Sequence, residues 1–511
     1  MNKLSHVCWI TAVIAVTSFA CGVASAKTPP DYWPTEEWRV STPEEQGLNS
    51  GRLADLLETI RDEGHRIRNV VVIRNGYVVL DAPFHPYGRD MRHIIHSCTK
   101  TITSALVGIA IDKGFIENVD QRVLDFFPEK TAKNLDSQKG SITLEHLLTM
   151  SSGLECRDSY LYDWQGLGEM TRSWDWVQHM LDLPIEHAPG TRFEYCNGAS
   201  YLLSAILQKS TGKTAFAFAK EHLFGPLGIE DVAWPTSREG VSLGWGGIEM
   251  RPKDLAKIAF LYLNNGNWNG QQVVSSDWVE RSTQSRIVAG TLSDSYGYHL
   301  WPNEAGYYMM LGYCGQYVIV HPKNNLIVVV TSCLKSRDFF LPRYWLHEYI
   351  LPAVESSKSL PEDAEGTGRI ASVVESISNP LPQSVPPLPA TAMQISGKRY
   401  AFDTNPIQLK SISLRFDPRE KEARLNLVYG AMIIRTNVGL DDVYRVSYDA
   451  GHWRAYKGRW EEEKTFVIDF DVADHTERGR AHLTFEGDTL KALIRGEIQG
   501  REYELIGRVR R

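Results

Sequence analysis

Ser97-Cys98-Thr99-Lys100, running on through Thr101-Ile102-Thr103-Ser104-Ala105-Leu106-Val107-Gly108-Ile109, is the stretch on which the reading of this chain turns. Ile102, Ala105, Leu106 and Ile109 recur at helical spacing, so a helix is expected to open at Ser97. Residues i and i+3 share a helix face, which puts the Lys100 ammonium within reach of the Ser97 hydroxyl. A helix start also offers free N–H groups and a positive dipole end, suited to an oxyanion forming beside that hydroxyl. Two further S-x-x-K runs open no helix: Ser210 to Lys213 lies on a Thr-Gly stop, and Ser332 to Lys335 follows a strand. The bland alternative for Ser97 is a buried helix start with a satisfied lysine.

About 100 residues on comes Tyr195-Cys196-Asn197. A tyrosine, with a pKa of about 10, becomes a usable general base when a lysine stabilises its phenolate. Tyr262-Leu263-Asn264 repeats the pattern at a helix end and reads as structural. Gly240-Val241-Ser242-Leu243-Gly244 matches G-x-S-x-G, but no helix follows to form a nucleophile elbow, so it reads as a glycine-rich loop. His93 and His96 are too few for a metal site, and neither a metal nor another cofactor is expected. Cys98 reads as a core residue. Trp164, Trp174 and Trp176 either line an acyl pocket or pack a lid loop.

Outward from these motifs, Asn69 to Leu80 reads as two strands around the hairpin turn Asn75-Gly76. Helices are expected near Leu144–Met150, Gly198–Gln208 and Pro252–Asn264, and strands at Gly315–His321 and Leu326–Thr331. Strands at both ends with helices between imply an α+β domain, residues 27–351, whose last strands return beside the first. Residues 352–390 have the Ser, Glu and Pro content of a linker. Residues 391–511 carry short alternating runs and no helical period, the pattern of a small all-β barrel or sandwich. That domain holds no catalytic constellation. It leaves open roles in shaping the substrate entrance, forming a homodimer or binding cell wall.

The N-terminus reads as a 26-residue secretory signal: Lys3, an apolar core from Trp9 to Phe19, and Ala24-Ser25-Ala26. The core is short for a membrane span of about 20 residues. Lipid attachment at Cys21 is a weaker alternative, since Ser18-Phe19-Ala20-Cys21 fits a lipobox loosely. An exported protein, periplasmic or secreted, is expected, with no membrane span. A net charge of −7 argues against a nucleic-acid partner. Cys98, Cys156, Cys196, Cys314 and Cys333 remain beyond the signal, match no zinc spacing, and leave at least one thiol unpaired. Cys196 and Cys314 flank the candidate elements and read as neighbours, as two thiols rather than a disulfide.

Longer segments then carry a resemblance: SCTKTITSALVGIAIDKGFI, ITLEHLLTMSSGL, PGTRFEYCNGASYLLSAIL, LFGPLGIEDVAW, MRPKDLAKIAFLYLNNGNWNGQQVV and GYCGQYVIVHPKNNLIVVVT. Over about residues 45–350 the chain resembles the serine β-lactamase and penicillin-recognising superfamily, on its class C-like side, among the 6-aminohexanoate-dimer hydrolase-like serine hydrolases. The resemblance implies an antiparallel sheet flanked by helices, plus a helical lobe, with the site between them. It implies Ser97 as nucleophile, Lys100 as its activator, Tyr195 as the base that returns the proton to the leaving group, and Asn197 orienting substrate or lysine. The superfamily's third motif, K-T-G or H-x-G on an edge strand, is replaced by Gly312-Tyr313-Cys314-Gly315-Gln316, which has no cation. That cation helps bind the carboxylate of penicillins and peptidoglycan stems. Its loss favours small ester or linear amide substrates over β-lactams or D-Ala-D-Ala peptides. The oxyanion is expected at the Ser97 N–H and one N–H of the Tyr313–Gln316 stretch. A non-catalytic envelope-binding descendant is the remaining alternative.

Overall fold

The structure, a computed structural model, describes residues 30–159, 164–290, 292–449, 451–472, 475–498 and 500–510. The expected signal at residues 1–26 and Cys21 lie outside the described residues. Among the described residues no helix is long and apolar enough to cross a membrane.

The first unit is built on a six-stranded antiparallel sheet: β1 (Ile67–Arg74), β2 (Tyr77–Pro83), β3 (Trp301–Pro302), β4 (Tyr308–Gly312), β5 (Gln316–His321) and β6 (Leu326–Ser332). Their spatial order is β3-β4-β5-β6-β1-β2, so the last strands do return beside the first. Asn75 and Gly76 both hold positive φ, as a tight primed turn between β1 and β2 requires. Every residue of β1 and β6 is buried, which accounts for their near-continuous Val and Ile.

Helices α1 (Ser50–Asp62), α2 (Thr99–Asp112), α3 (Asn197–Thr211), α4 (Pro252–Leu263) and α5 (Ala364–Ser378) supply the main helical packing. Helix α2 is buried on nearly all sides, so it is a central helix packed on α3 rather than an amphipathic surface one. Helix α5 corrects the reading of 352–390 as linker throughout. Gly366, Ile370, Val373 and Ile377 recur at helical spacing along it. The helix packs on α1, where Arg369 pairs with Asp55 and Glu58 at 2.7 and 2.6 Å. Its Ser and Glu residues mask that stripe in composition. The proline-rich stretch 380–389 has no regular structure.

The C-terminal region is a barrel. Nine strands between Arg399 and Val509 close where Met432–Gly439 meets His452–Glu462, and Arg445–Asp449 adds to one side. Leu414, Phe416, Leu425, Val438, Phe466 and Phe485 fill its core.

Barrel and sheet meet through a buried charge cluster. Arg68 of β1 is fully buried, lies 5.2 Å from the Tyr87 ring, and donates to the His475 carbonyl of the barrel. The Tyr87 hydroxyl donates to Asp471, itself buried, at 2.6 Å, and Arg478 stands 3.7 Å from the same carboxylate. Arg66 pairs with the barrel's Glu497 at 2.5 Å. Removing one partner of a buried pair leaves an uncompensated charge. Asp471→Ala is therefore expected to lower the unfolding free energy by about 3 kcal/mol in urea titration. A loss well below about 1 kcal/mol would show that the cluster does not hold the two units together.

Candidate active site

Ser97 owes its position to a strained entry. A short strand, His93–Ile94, pairs with Glu249–Met250, and the chain then turns at His96, whose φ is 46°. Left-handed backbone at a non-glycine residue costs about 1–3 kcal/mol. The turn leads into a single 3₁₀ turn, His96–Cys98, from which α2 continues. Ser97 on that turn and Lys100 in the first turn of α2 are three residues apart and share a face.

Lys100 Nζ lies 3.0 Å from Ser97 Oγ, 2.8 Å from Asn197 Oδ1 and 2.9 Å from the Trp245 carbonyl oxygen. The Tyr195 hydroxyl donates to Ser97 Oγ at 2.8 Å, and Lys100 Nζ sits 4.8 Å from the Tyr195 ring centroid. Ser97, Lys100, Tyr195 and Asn197 are thus assembled in one place, with the Asn197 side-chain oxygen accepting from the lysine. The Asn197 and Trp245 oxygens can only accept, so they hold two amine protons in either charge state. The third direction faces Ser97. As an ammonium Lys100 donates there; as an amine it presents its lone pair to the serine proton. Burial lowers the Lys100 pKa to about 7, against the opposing pull of Asp158, so both forms are populated near neutrality.

The third-motif strand packs directly on this entry. A Cβ at Gly312 would stand 2.5 Å from the Ile95 carbonyl oxygen, so only glycine allows β4 so close to the backbone leading into Ser97. Cys314 and Gly315 both have positive φ in the turn between β4 and β5. Gln316 is fully buried and spends its side-chain amide on the Tyr313 and Ser332 carbonyls, at 3.1 and 2.7 Å, bracing the turn. The Tyr313 ring lies 5.5 Å from the His96 ring and 4.4 Å from Trp164. The motif lies between β4 and β5, inside the sheet, with two-residue β3 as the edge. That corrects the edge-strand expectation.

The tryptophans separate. Trp164 packs against Tyr313; Trp176 is buried against Tyr201 and Trp245; Trp174 is 85% exposed beside Arg238. Ser242 of the G-x-S-x-G run is buried, its hydroxyl accepting from the Phe216 N–H. The cysteine reading needs correction: Cys196 is joined to Cys156 in a disulfide, whereas Cys314 is a buried thiol beside Cys333. The two pairs sit on different elements, and sequence spacing carries no signal for either. Cys98 is a buried thiol in the core.

A Beta-lactamase family profile matches residues 53–347, more than half of the chain. The chain belongs to the Beta-lactamase family. Among curated relatives, the 6-aminohexanoate-dimer hydrolase of Paenarthrobacter ureafaciens is 24% identical over 298 residues, 54% of this chain and 74% of that protein. Esterase EstB of Burkholderia gladioli is 28% identical over 207 residues, 36% of this chain and 52% of that protein. Among solved structures, a putative 6-aminohexanoate-dimer hydrolase from Bacillus anthracis aligns with a TM-score of 0.50 at 21% identity. It covers 66% of this chain and 91% of its own, and it bears on the fold alone.

Two parts of this Beta-lactamase-family site escape sequence reasoning. One is the Trp245 carbonyl, a backbone group in the glycine-rich loop. The other is Asp158, whose carboxylate accepts from the Asn197 backbone N–H and side-chain amide, both at 3.0 Å, and from the Leu167 N–H at 2.9 Å. No spacing rule links Asp158 to Asn197.

Because an amine at Lys100 can take the serine proton and an ammonium cannot, reactivity of Ser97 is expected to rise with pH, with its midpoint near 7. The check is the rate of fluorophosphonate labelling against pH. Lys100→Met is expected to remove that limb and slow labelling roughly a thousandfold. A wild-type rate that stays flat across neutrality would exclude Lys100 as proton acceptor.

Proposed function

We propose that this chain is an exported serine hydrolase that cleaves ester or linear amide bonds through an acyl enzyme on Ser97. The observation that carries the reading is a serine hydroxyl held between a low-pKa lysine and a tyrosine, at 3.0 and 2.8 Å. As Ser97 Oγ attacks the substrate carbonyl, the Lys100 amine takes its proton. The N–H of Ser97 and one N–H of the Tyr313–Gln316 turn receive the oxyanion. Tyr195 gives its proton to the departing alcohol or amine, and the phenolate left behind is stabilised by the adjacent Lys100 ammonium. In the second half, that phenolate takes a proton from the attacking water. The Lys100 ammonium returns its proton to Ser97 Oγ as the acyl group leaves. Ser97, Lys100 and Tyr195 all return to their starting protonation states, with the proton lost to the leaving group replaced from water.

The substrate class is supported by the turn that replaces the third motif. That turn offers Tyr313, an aromatic hydroxyl instead of a cation, with Trp164 packed against its ring. The relatives named as an esterase and as a hydrolase of a linear amide dimer favour the same class. Export is supported by the N-terminal pattern, and the Cys156–Cys196 disulfide fits an oxidising compartment.

The test is a panel of p-nitrophenyl acetate and butyrate, a linear aminohexanoate dimer, nitrocefin and a D-Ala-D-Ala peptide. Ester kcat/KM is expected to exceed that of nitrocefin by roughly tenfold to a hundredfold, the worth of one missing charge-assisted hydrogen bond. Efficient nitrocefin or peptide turnover with little esterase activity would overturn the substrate class. An equal fluorophosphonate adduct on wild type and Ser97→Ala, or none on wild type, would leave a binding protein instead.

A further inference from the structure

We propose that Asp158 is a positioning residue that aims Asn197 at Lys100, and that the Cys156–Cys196 disulfide holds it there. The inference rests on the hydrolase reading of Ser97. Asp158 lies on a loop remote in sequence from Asn197, yet its Oδ2 accepts from the Asn197 N–H and Nδ2, while its Oδ1 accepts from the nearby Leu167 N–H. A carboxylate accepts only, so the Asn197 amide must turn its NH₂ toward Asp158. Its oxygen is then obliged to face Lys100 Nζ, 2.8 Å away. Without the carboxylate the amide loses the acceptor that holds its NH₂ side, and the contact with Lys100 alone is left to oppose a flip.

The charge of Asp158 reaches Lys100 as well. The groups facing Lys100 are His96, Ser97 and Cys98 before it, Tyr195 and Asn197 at the start of α3, the Trp245 carbonyl, and His299 behind. Burial lowers His96 and His299 to about 3 and pushes the Cys98 thiol up, so these three stay neutral near pH 7. Asp158 is the carboxylate that favours the ammonium form against burial. Burial raises its own pKa, and the N–H donors from Asn197 and Leu167 oppose that rise.

The disulfide supplies the anchorage. Cys156 lies two residues before Asp158, and Cys196 lies between Tyr195 and Asn197. The bond therefore ties the carboxylate's loop to the residue joining base and amide, across 40 positions of sequence. Reduction would free the loop while leaving Ser97 and Lys100 in place on their own helix.

The experiment measures fluorophosphonate labelling and p-nitrophenyl ester hydrolysis against pH. It compares wild type, Asp158→Asn, Asp158→Glu and the doubly substituted Cys156→Ser/Cys196→Ser. Losing an opposing charge lowers a lysine pKa, so the Asp158→Asn midpoint is expected to move about one unit toward acid. Plateau kcat is expected to fall roughly tenfold with KM nearly unchanged. Asp158→Glu should recover the midpoint, and the disulfide-free protein should shift the same way as Asp158→Asn. If Asp158→Asn fails to fold, the disulfide-free midpoint decides. A folded Asp158→Asn protein with an unmoved midpoint reduces Asp158 to a cap on α3 and overturns the proposal alone. Absence of labelling on wild-type Ser97 overturns the hydrolase reading, and this proposal with it.

Discussion

A lysine ammonium taken out of water is the constraint on which the rest of this site depends. Lys100 is almost wholly buried, and an unpaired cation there would be prohibitively unfavourable. The fold answers with one acceptor from each of three elements: Ser97 on the turn before α2, Asn197 at the start of α3, and a carbonyl of the Trp245 loop. Those three contacts fix the mutual placement of α2, α3 and the loop between α3 and α4. The burial that makes the lysine hard to house is also what brings its proton affinity down to the range of neutral water.

The sheet contributes a second constraint of a different kind, contact instead of charge. Gly312 lets β4 approach the Ile95 carbonyl more closely than any side chain would allow. The strain at His96 and the positive φ values at Cys314 and Gly315 face each other across that contact. Neither turn is relaxed by itself. Each packs on the other, Gly312 against Ile95 and the Tyr313 ring against His96.

What the sequence made legible was local. The Ser97–Lys100 spacing, Tyr195-Cys196-Asn197, the Asn75-Gly76 hairpin and the alternating runs of the barrel are all patterns within a few residues of one another. The identity of β1 and β6 as neighbours also followed, because strands at both ends of a domain have few other places to pair. The parts that stayed hidden depend on long-range geometry. Cys156 and Asp158 meet Cys196 and Asn197 only after the helical lobe has folded, and no short spacing announces that meeting. Helix α5 was hidden for another reason: glycine at Gly366 occupies a close contact with Ser50 and dilutes the apolar stripe that periodicity looks for.

The charge cluster at the base of the barrel has a bearing on descent. Arg68 sits in the middle of the catalytic sheet, yet its partners, the His475 carbonyl and the Tyr87–Asp471 pair, are completed by the barrel. A lineage that shed the barrel while keeping this arginine would expose a dry sheet face around a cation with no counter-charge. One that acquired the barrel without it would leave Asp471 without one of the two arginines that favour its charged form. The arginine and the appended domain are therefore coupled characters, and residue 68 becomes a marker by which barrel-bearing and barrel-free members of the family should be separable.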